Sequence, residues 1–82
     1  MTKKELCEKV FQDLFNGNYE KENAIKLLQK HVGAKNSEET QKKLQNQFSD
    51  REFTDKILQI FSQKTINHEF YLQWIDFMYE YL

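Results

Sequence analysis

Apolar side chains recur at steps of three and four residues along most of this chain, the spacing that places them on one face of an α-helix. The first run follows Thr2 and Glu5, the two residues of a capping box at a helix start. It stops at Asn16-Gly17-Asn18, where the glycine suits the left-handed conformation that commonly ends a helix. The apolar stripe of this first predicted helix consists of Leu6, Val10, Phe11, Leu14 and Phe15, with Cys7 at its edge.

A second apolar stripe predicts a helix that starts near Tyr19 and ends at Gly33. The loop from Ala34 to Asn36 separates it from the next helix. The stripe of the second helix consists of Ala24, Ile25, Leu28 and Val32, widened by Leu27.

The third predicted helix, about 38–48, is the weakest in the chain. Asn36 or Ser37 can cap its start. Only Leu44 and Phe48 offer strong apolar anchors. We therefore expect this helix to lie on the surface and to be the least stable element.

The start of the fourth helix carries two local signals at once. Ser49 as N-cap and Glu52 three residues later make a capping box, and Phe48 and Phe53 on either side make a hydrophobic staple. Together they predict that a helix begins at Asp50. Its buried stripe is expected to be Phe53, Ile57, Ile60 and Phe61.

The last helix, capped by Asn67 or Thr65, is the most apolar stretch of the chain. In Phe70–Leu82 all but three residues are apolar or aromatic. Because almost every side of this helix needs cover, we expect the other helices to pack around it. A narrow polar stripe remains, formed by Glu69, Gln73, Asp76 and Glu80.

The fold class follows from these patterns. No segment alternates as a strand does, the chain has no proline and only 2 glycines, and the connections are short. At 82 residues it is expected to form one domain spanning residues 1–82. The prediction is an all-α, small up-and-down bundle of four to five short helices packed around the C-terminal helix.

Charge narrows the range of partners. The 12 Lys and Arg residues are balanced by 13 Asp and Glu residues, so the chain lacks the basic footprint of a nucleic-acid-binding protein. After Lys64 there is no Lys or Arg, so the aromatic end of the chain is also its acidic end. No apolar run has the length of a signal peptide or a membrane span. We expect a cytoplasmic protein with no membrane partner, in keeping with the lone thiol of Cys7.

Enzyme chemistry finds little support in the sequence. There is no glycine-rich phosphate loop, no metal-binding helix motif and no nucleophile elbow. Cys7 is interpreted as a small buried hydrophobe, His31 as a residue that favours a helix C-terminus, and His68 as an exposed neutral side chain. These three residues also lack zinc-ligand spacing. The sequence therefore predicts no catalytic, cofactor or metal site, and not an enzyme.

Paired carboxylates are the remaining catalytic signal. Asp76 and Glu80 share a helix face and could act as an acid–base pair or as half of a metal site. A solvated stripe explains them better, because a helix that is apolar on its other sides needs one wet face.

A helix-turn-helix reading gives one alternative function. The second helix, the Gly33 loop and the third helix have that connectivity, and Lys42 and Lys43 could contact phosphates. Two observations argue against a DNA-binding regulator. The acidic residues Glu38 and Glu39 lie close to these lysines, and the chain as a whole is slightly acidic.

The aromatic cluster gives the leading functional hypothesis. Six of the twelve aromatic residues lie in Phe70–Leu82, and they could form core alone or core together with an interface. Tyr and Trp are enriched at interface hot spots, and acidic neighbours would suit a basic partner. The candidate partner-binding residues are Trp74, Asp76, Tyr79, Glu80 and Tyr81.

In size, helical content, slight acidity and aromatic content the chain resembles small bacterial and phage inhibitors. These include immunity proteins that neutralise a bacteriocin or a contact-dependent nuclease toxin. The resemblance concerns overall character, and it implies a protein-binding module that blocks a basic, toxin-like partner. A structural homodimer joined through the last helix is a further alternative.

Overall fold

The computed structural model describes residues 1–17, 19 and 23–82. Within these residues the chain forms five α-helices and no strand, which confirms the predicted small all-α bundle. The helices are α1 (Lys3–Asn16), α2 (Ala24–Val32), α3 (Ser37–Phe48), α4 (Arg51–Phe61) and α5 (His68–Tyr81).

Most helix ends lie where the local signals place them. At the start of α1, the Thr2 hydroxyl accepts a hydrogen bond from the Glu5 backbone N–H at 3.1 Å. At the start of α3, the Asn36 side-chain oxygen accepts from the Glu39 backbone N–H at 2.8 Å. Asn67 caps α5, its side-chain oxygen 2.9 Å from the Phe70 nitrogen. At the other ends, Gly17 closes α1 and Gly33 closes α2 in the left-handed conformation, with φ of 75° and 74°. These positions are set by short-range chemistry, which is why the sequence locates them.

The start of α2 differs from its prediction. The helix begins at Ala24, with Asn23 in the N-cap position, rather than near Tyr19. The Tyr19 side chain instead packs towards α5, where its hydroxyl lies 3.1 Å from that of Tyr71. Asn18, predicted within the stop of α1, and residues 20–22, predicted within α2, lie outside the described residues.

The N-cap of α4 also differs, by one residue. Ser49 does not cap this helix but ends α3, with a left-handed φ of 49°. Asp50 is the N-cap, and its carboxylate accepts from the Phe53 nitrogen at 3.1 Å while binding Lys3 of α1 at 2.5 Å. The helix therefore starts at Arg51. The predicted contact of the Phe48 and Phe53 rings is present, with centroids 5.1 Å apart.

The third helix forms over its whole predicted length and lies on the surface of the bundle. Thr40 and Leu44 are its fully buried residues, and Phe48 is half-buried at its end. That it is the least stable element stays a prediction.

The helices are arranged with α2 and α4 at the centre. Helix α2 packs against α1, α3 and α4, and α4 packs against α2, α3 and α5. Helix α5 packs mainly against α4 and α1. The expectation that the other helices pack around α5 therefore holds for these two helices. One side of α5 is left facing solvent as a result.

An aromatic cluster joins α5 to α4. Trp74 is the largest fully buried side chain, and its ring lies between those of Phe61 and Phe77, with centroids at 5.1 and 5.0 Å. Phe53 of α4 packs on Phe77 at 5.3 Å. The core also contains Leu6, Cys7, Val10, Leu14, Ala24, Leu27, Leu28, Val32, Leu44, Ile57, Ile66 and Phe70.

Candidate protein-interaction surface

The solvent side of α5 consists of two adjacent strips that run along the helix. With about 3.6 residues per turn, Phe70, Trp74 and Phe77 point to the core, Tyr71, Met78 and Tyr81 are half-buried beside them, and the two strips cover the exposed side. The apolar strip is formed by Leu72, Ile75, Tyr79 and Leu82, which are 51%, 37%, 83% and 53% exposed. The acidic strip is formed by Glu69, Gln73, Asp76 and Glu80, all exposed.

Helix α1 runs antiparallel to α5 beside the apolar strip. The Lys3 ammonium lies 5.6 Å from the Tyr81 ring centre at one end. At the other end the Tyr71 hydroxyl donates to the Leu14 carbonyl at 3.2 Å. Burial, with the hydrogen bond to Tyr19, raises the pKa of Tyr71 to about 12. These contacts fix how the two helices lie side by side.

A groove with an apolar lining lies between α1 and α5. Phe11 forms one wall, and residues of α5 form the other. The groove encloses about 460 Å³ and is open to solvent. Phe15, which is 80% exposed, stacks on Phe11 with ring centroids 6.1 Å apart and extends the apolar surface along α1. We call this feature the α1–α5 groove; its lining is Phe11, Ile75, Met78, Tyr79 and Leu82.

The acidic strip lies on the α4 side of the apolar strip, where Gln73, Asp76 and Glu80 line a second open pocket with Lys56, and it is only partly neutralised. Glu80 binds Lys56 of α4 at 2.7 Å, and this hydrogen bond raises the pKa of Lys56. Within the part of the chain that the structure describes, Asp76 and Glu69 form no ion pair. Helix α5 itself contains no Lys or Arg. The apolar strip is therefore bordered by unpaired negative charge on the flank that faces α4, opposite the flank that faces Phe11.

The five candidate partner-binding residues do not share one surface. Tyr79 lies on the apolar strip, and Asp76 and Glu80 lie on the acidic strip. Tyr81 is half-buried, and burial raises its pKa.

Trp74 is the clear correction among these five. It is 0% exposed, because its ring fills the space between Phe61 of α4 and Phe77. Trp74 is therefore a core residue and not part of an exposed patch.

Sequence reasoning missed the residues that form most of the exposed apolar surface. The apolar pattern places Phe11 and Phe15 on the core face of the first helix, although only Leu6, Cys7, Val10 and Leu14 of that helix are fully or nearly fully buried. The available signal was the spacing of Leu72, Ile75, Tyr79 and Leu82, which is three, four and three residues. That spacing is a second apolar stripe beside the core stripe of the same helix.

The lysines of the DNA-binding alternative are engaged within α3. Lys42 lies 3.6 Å from Glu38, and Lys43 lies 3.3 Å from Glu39. Lys43 also donates to the Gly33 carbonyl. These partners reduce the positive potential that the face would offer to phosphate.

The residues considered for catalysis have structural surroundings. Cys7 is fully buried, as predicted, and burial raises the pKa of its thiol to about 11, so it is not an activated nucleophile. His31 Nε2 lies 2.8 Å from an Asp13 carboxylate oxygen and joins α2 to α1, a contact that the sequence did not indicate. His68 is exposed, as predicted. Across the described residues, no three His, Cys, Asp or Glu side chains gather into a potential metal site.

Comparison of the chain with protein-family models, with curated proteins and with solved structures gave no match. Among the described helices, none combines the length and the apolar character needed to cross a bilayer. The class that the structure supports is a small helical bundle with an exposed apolar groove and, on the α4 side of α5, an acidic strip.

Proposed function

We propose that this protein acts by binding another protein through the α1–α5 groove and the acidic strip beside it. The observation that supports this is an apolar surface continuous across two helices, from Phe15 and Phe11 on α1 to the apolar strip on α5. Single exposed apolar residues are common, but contiguous patches on small proteins often mark binding sites. Tyr79 is the most exposed residue of this patch, and tyrosine is a frequent hot-spot residue.

The narrower form of the proposal is an inhibitor of the immunity-protein kind. A basic partner, such as a nuclease toxin, would be attracted by the acidic strip and held by the apolar groove. Unpaired Asp76 and Glu69 would face its basic side chains, which favours fast and specific association. Inhibition would then follow from covering the partner's basic site, with no chemistry at this protein.

Affinity capture with matched variants tests the proposal. Tagged protein is expressed in the cells that naturally produce it, and co-purifying proteins are quantified by mass spectrometry. Tyr79→Glu places a charge on the apolar strip, and because Tyr79 is 83% exposed the bundle should fold unchanged. Gln45→Glu is the control, since it adds the same charge to the exposed surface of α3.

We expect one stoichiometric protein with the wild type and with Gln45→Glu, and at least about tenfold less of it with Tyr79→Glu. Circular dichroism should show equal helix content in all three. A partner retained equally by Tyr79→Glu would place the binding site elsewhere and refute the proposal.

The same purification separates the two alternatives. A DNA-binding regulator would bring down nucleic acid and lose it at high salt or on changing Lys42 and Lys43 to Glu. A homodimer would give twice the monomer mass in solution and no second protein. Neither alternative explains why the exposed apolar surface is bordered by unpaired acids.

A further inference from the structure

The shape of the α1–α5 groove suits a helix more than a strand or a loop. Its walls are two antiparallel helices, with Phe11 on one side and Met78 and Tyr79 on the other. A third helix can lie in such a groove by packing its side-chain ridges between those of the two walls. An extended segment would instead need a sheet edge for its backbone hydrogen bonds, and the described residues form no strand.

The spacing of the apolar strip points in the same direction. Leu72, Ile75, Tyr79 and Leu82 follow steps of three, four and three, which is the a/d pattern of a helix–helix seam. From Leu72 to Leu82 the seam rises about 15 Å, the length of about three helical turns. A partner helix of that length would cover it from end to end.

Charge decides between a second copy of this chain and a different protein. In an antiparallel two-fold arrangement of α5 against α5, the acidic strips of both copies would lie on the same side of the seam. Asp76 sits near the middle of the seam without an ion pair among the described residues, and α5 has no Lys or Arg to oppose its counterpart. Like charges placed together in this way oppose association. A helix with basic residues along one flank has the complementary pattern.

We infer that the α1–α5 groove receives an amphipathic α-helix of a partner protein, with apolar residues at a/d spacing and Lys or Arg along the flank that faces Asp76. This inference rests on the proposed function and specifies the structure and chemistry of the segment that is bound.

Designed peptides test it without knowledge of the natural partner. One peptide of about 14 residues carries Leu at a/d positions and Lys on both flanks, and a second replaces each Lys by Glu. A third has the composition of the first in scrambled order. Binding of each fluorescently labelled peptide to the full-length protein is measured by anisotropy, and ¹⁵N-labelled protein reports by NMR which residues shift.

We expect the basic helix to bind at least about tenfold more tightly than the acidic helix or the scrambled peptide, and to lose affinity as salt is raised. The NMR shifts should fall on Phe11, Ile75 and Tyr79. Tyr79→Glu should abolish this binding, and Gln45→Glu should leave it unchanged.

A charge reversal gives the sharper control. Asp76→Lys should weaken binding of the basic helix and strengthen binding of the acidic one. Glu38→Lys makes the same change of charge on α3. Because α3 packs on α2 and α4 and does not line the groove, this control should alter neither affinity. Both positions are exposed, and because Glu38→Lys also removes an exposed ion pair with Lys42, circular dichroism should verify equal helix content in both variants.

The remaining outcomes overturn the inference in distinguishable ways. Equal binding of basic and acidic helices would refute the charge complementarity. No peptide binding, while Tyr79→Glu still removes a captured protein partner, would refute the helical occupant and leave the proposed function standing. Concentration-dependent dimerisation that Tyr79→Glu abolishes would show that a second copy occupies the groove. Failure of both peptide binding and partner capture would remove the proposed function as well.

Discussion

Two buried threonines of this bundle differ in one hydrogen bond, and that difference sets a measurable prediction. Thr40 of α3 and Thr54 of α4 are both 0% exposed. The Thr40 hydroxyl donates to the Asn36 carbonyl at 2.7 Å, whereas the Thr54 hydroxyl oxygen has no hydrogen-bond partner within the described chain. Replacing each by Val should therefore change stability in opposite directions.

The magnitude follows from the cost of burying a polar group. A buried group without a partner costs about 1–3 kcal/mol, and a satisfied hydrogen bond contributes about 0.5–1.5 kcal/mol. Val keeps the β-branched shape and ranks close to Thr in helix propensity, so the helix itself is little affected. We expect Thr54→Val to raise the free energy of unfolding by about 1 kcal/mol and Thr40→Val to lower it by about 1 kcal/mol.

Urea unfolding of the wild type and both variants measures this difference. Trp74 is the single tryptophan and is fully buried, so its fluorescence reports the loss of the core. The slope of the unfolding free energy against urea concentration should be equal in the three proteins. The change in stability should therefore appear as a shift of the unfolding midpoint. In a domain of this size each kcal/mol corresponds to about 4–8 °C in Tm. If Thr54→Val destabilised the bundle as much as Thr40→Val, the reasoning about the unpaired hydroxyl would be wrong.

Three further predictions concern the core and two titrating groups. Trp74→Ala should lower the free energy of unfolding by about 3–5 kcal/mol, and Tyr79→Ala should lower it by less than about 0.5 kcal/mol. Circular dichroism in urea measures both losses. Equal losses would contradict a buried Trp74 and an exposed Tyr79. The hydrogen bond from Lys3 lowers the pKa of Asp50 below 3.8, so its stabilisation is present above that pH and is lost as the pH falls through the folded-state value. Asp50→Asn retains a capping side chain and should show a smaller loss of stability between pH 7 and pH 3 than the wild type, while an unchanged loss would refute the ion pair as its source. Burial raises the pKa of Cys7 from 9.0 to about 11, so the unfolded thiol ionises first and stability should fall as the pH rises between these values. Cys7→Ala should reduce that slope in thermal unfolding, and an identical slope would count against thiol burial as its cause.

The sequence predicts the α5 side of the candidate surface but not its α1 side. The acidic stripe of α5 could be read from spacing, and Asp76 and Tyr79 are exposed as a partner site requires. The groove wall on α1 could not, because Phe11 and Leu14 both fit the apolar stripe of an isolated helix. Only the docking of α5 beside α1 leaves Phe11 at the edge while Leu14 is buried.

Local structure follows from the amino-acid order alone: the helical content, the glycine ends at Gly17 and Gly33, the cap at Thr2, and a start of the last helix at Thr65 or Asn67. These depend on interactions between residues three or four positions apart, which the order of amino acids specifies directly. Tertiary contacts decided the rest. The Asp50 cap is bound to Lys3 from a distant helix, where local pattern favoured the preceding residue.

The same division explains the two aromatic residues on which the functional argument depends. Trp74 and Tyr79 lie on one helix that is apolar on most sides, so the apolar pattern does not distinguish which of them is exposed. Packing on α4 buries Trp74 beside Phe61 and leaves Tyr79 in solvent. Which side of such a helix is covered depends on the shapes of its neighbours, and those are fixed only when the whole chain has folded.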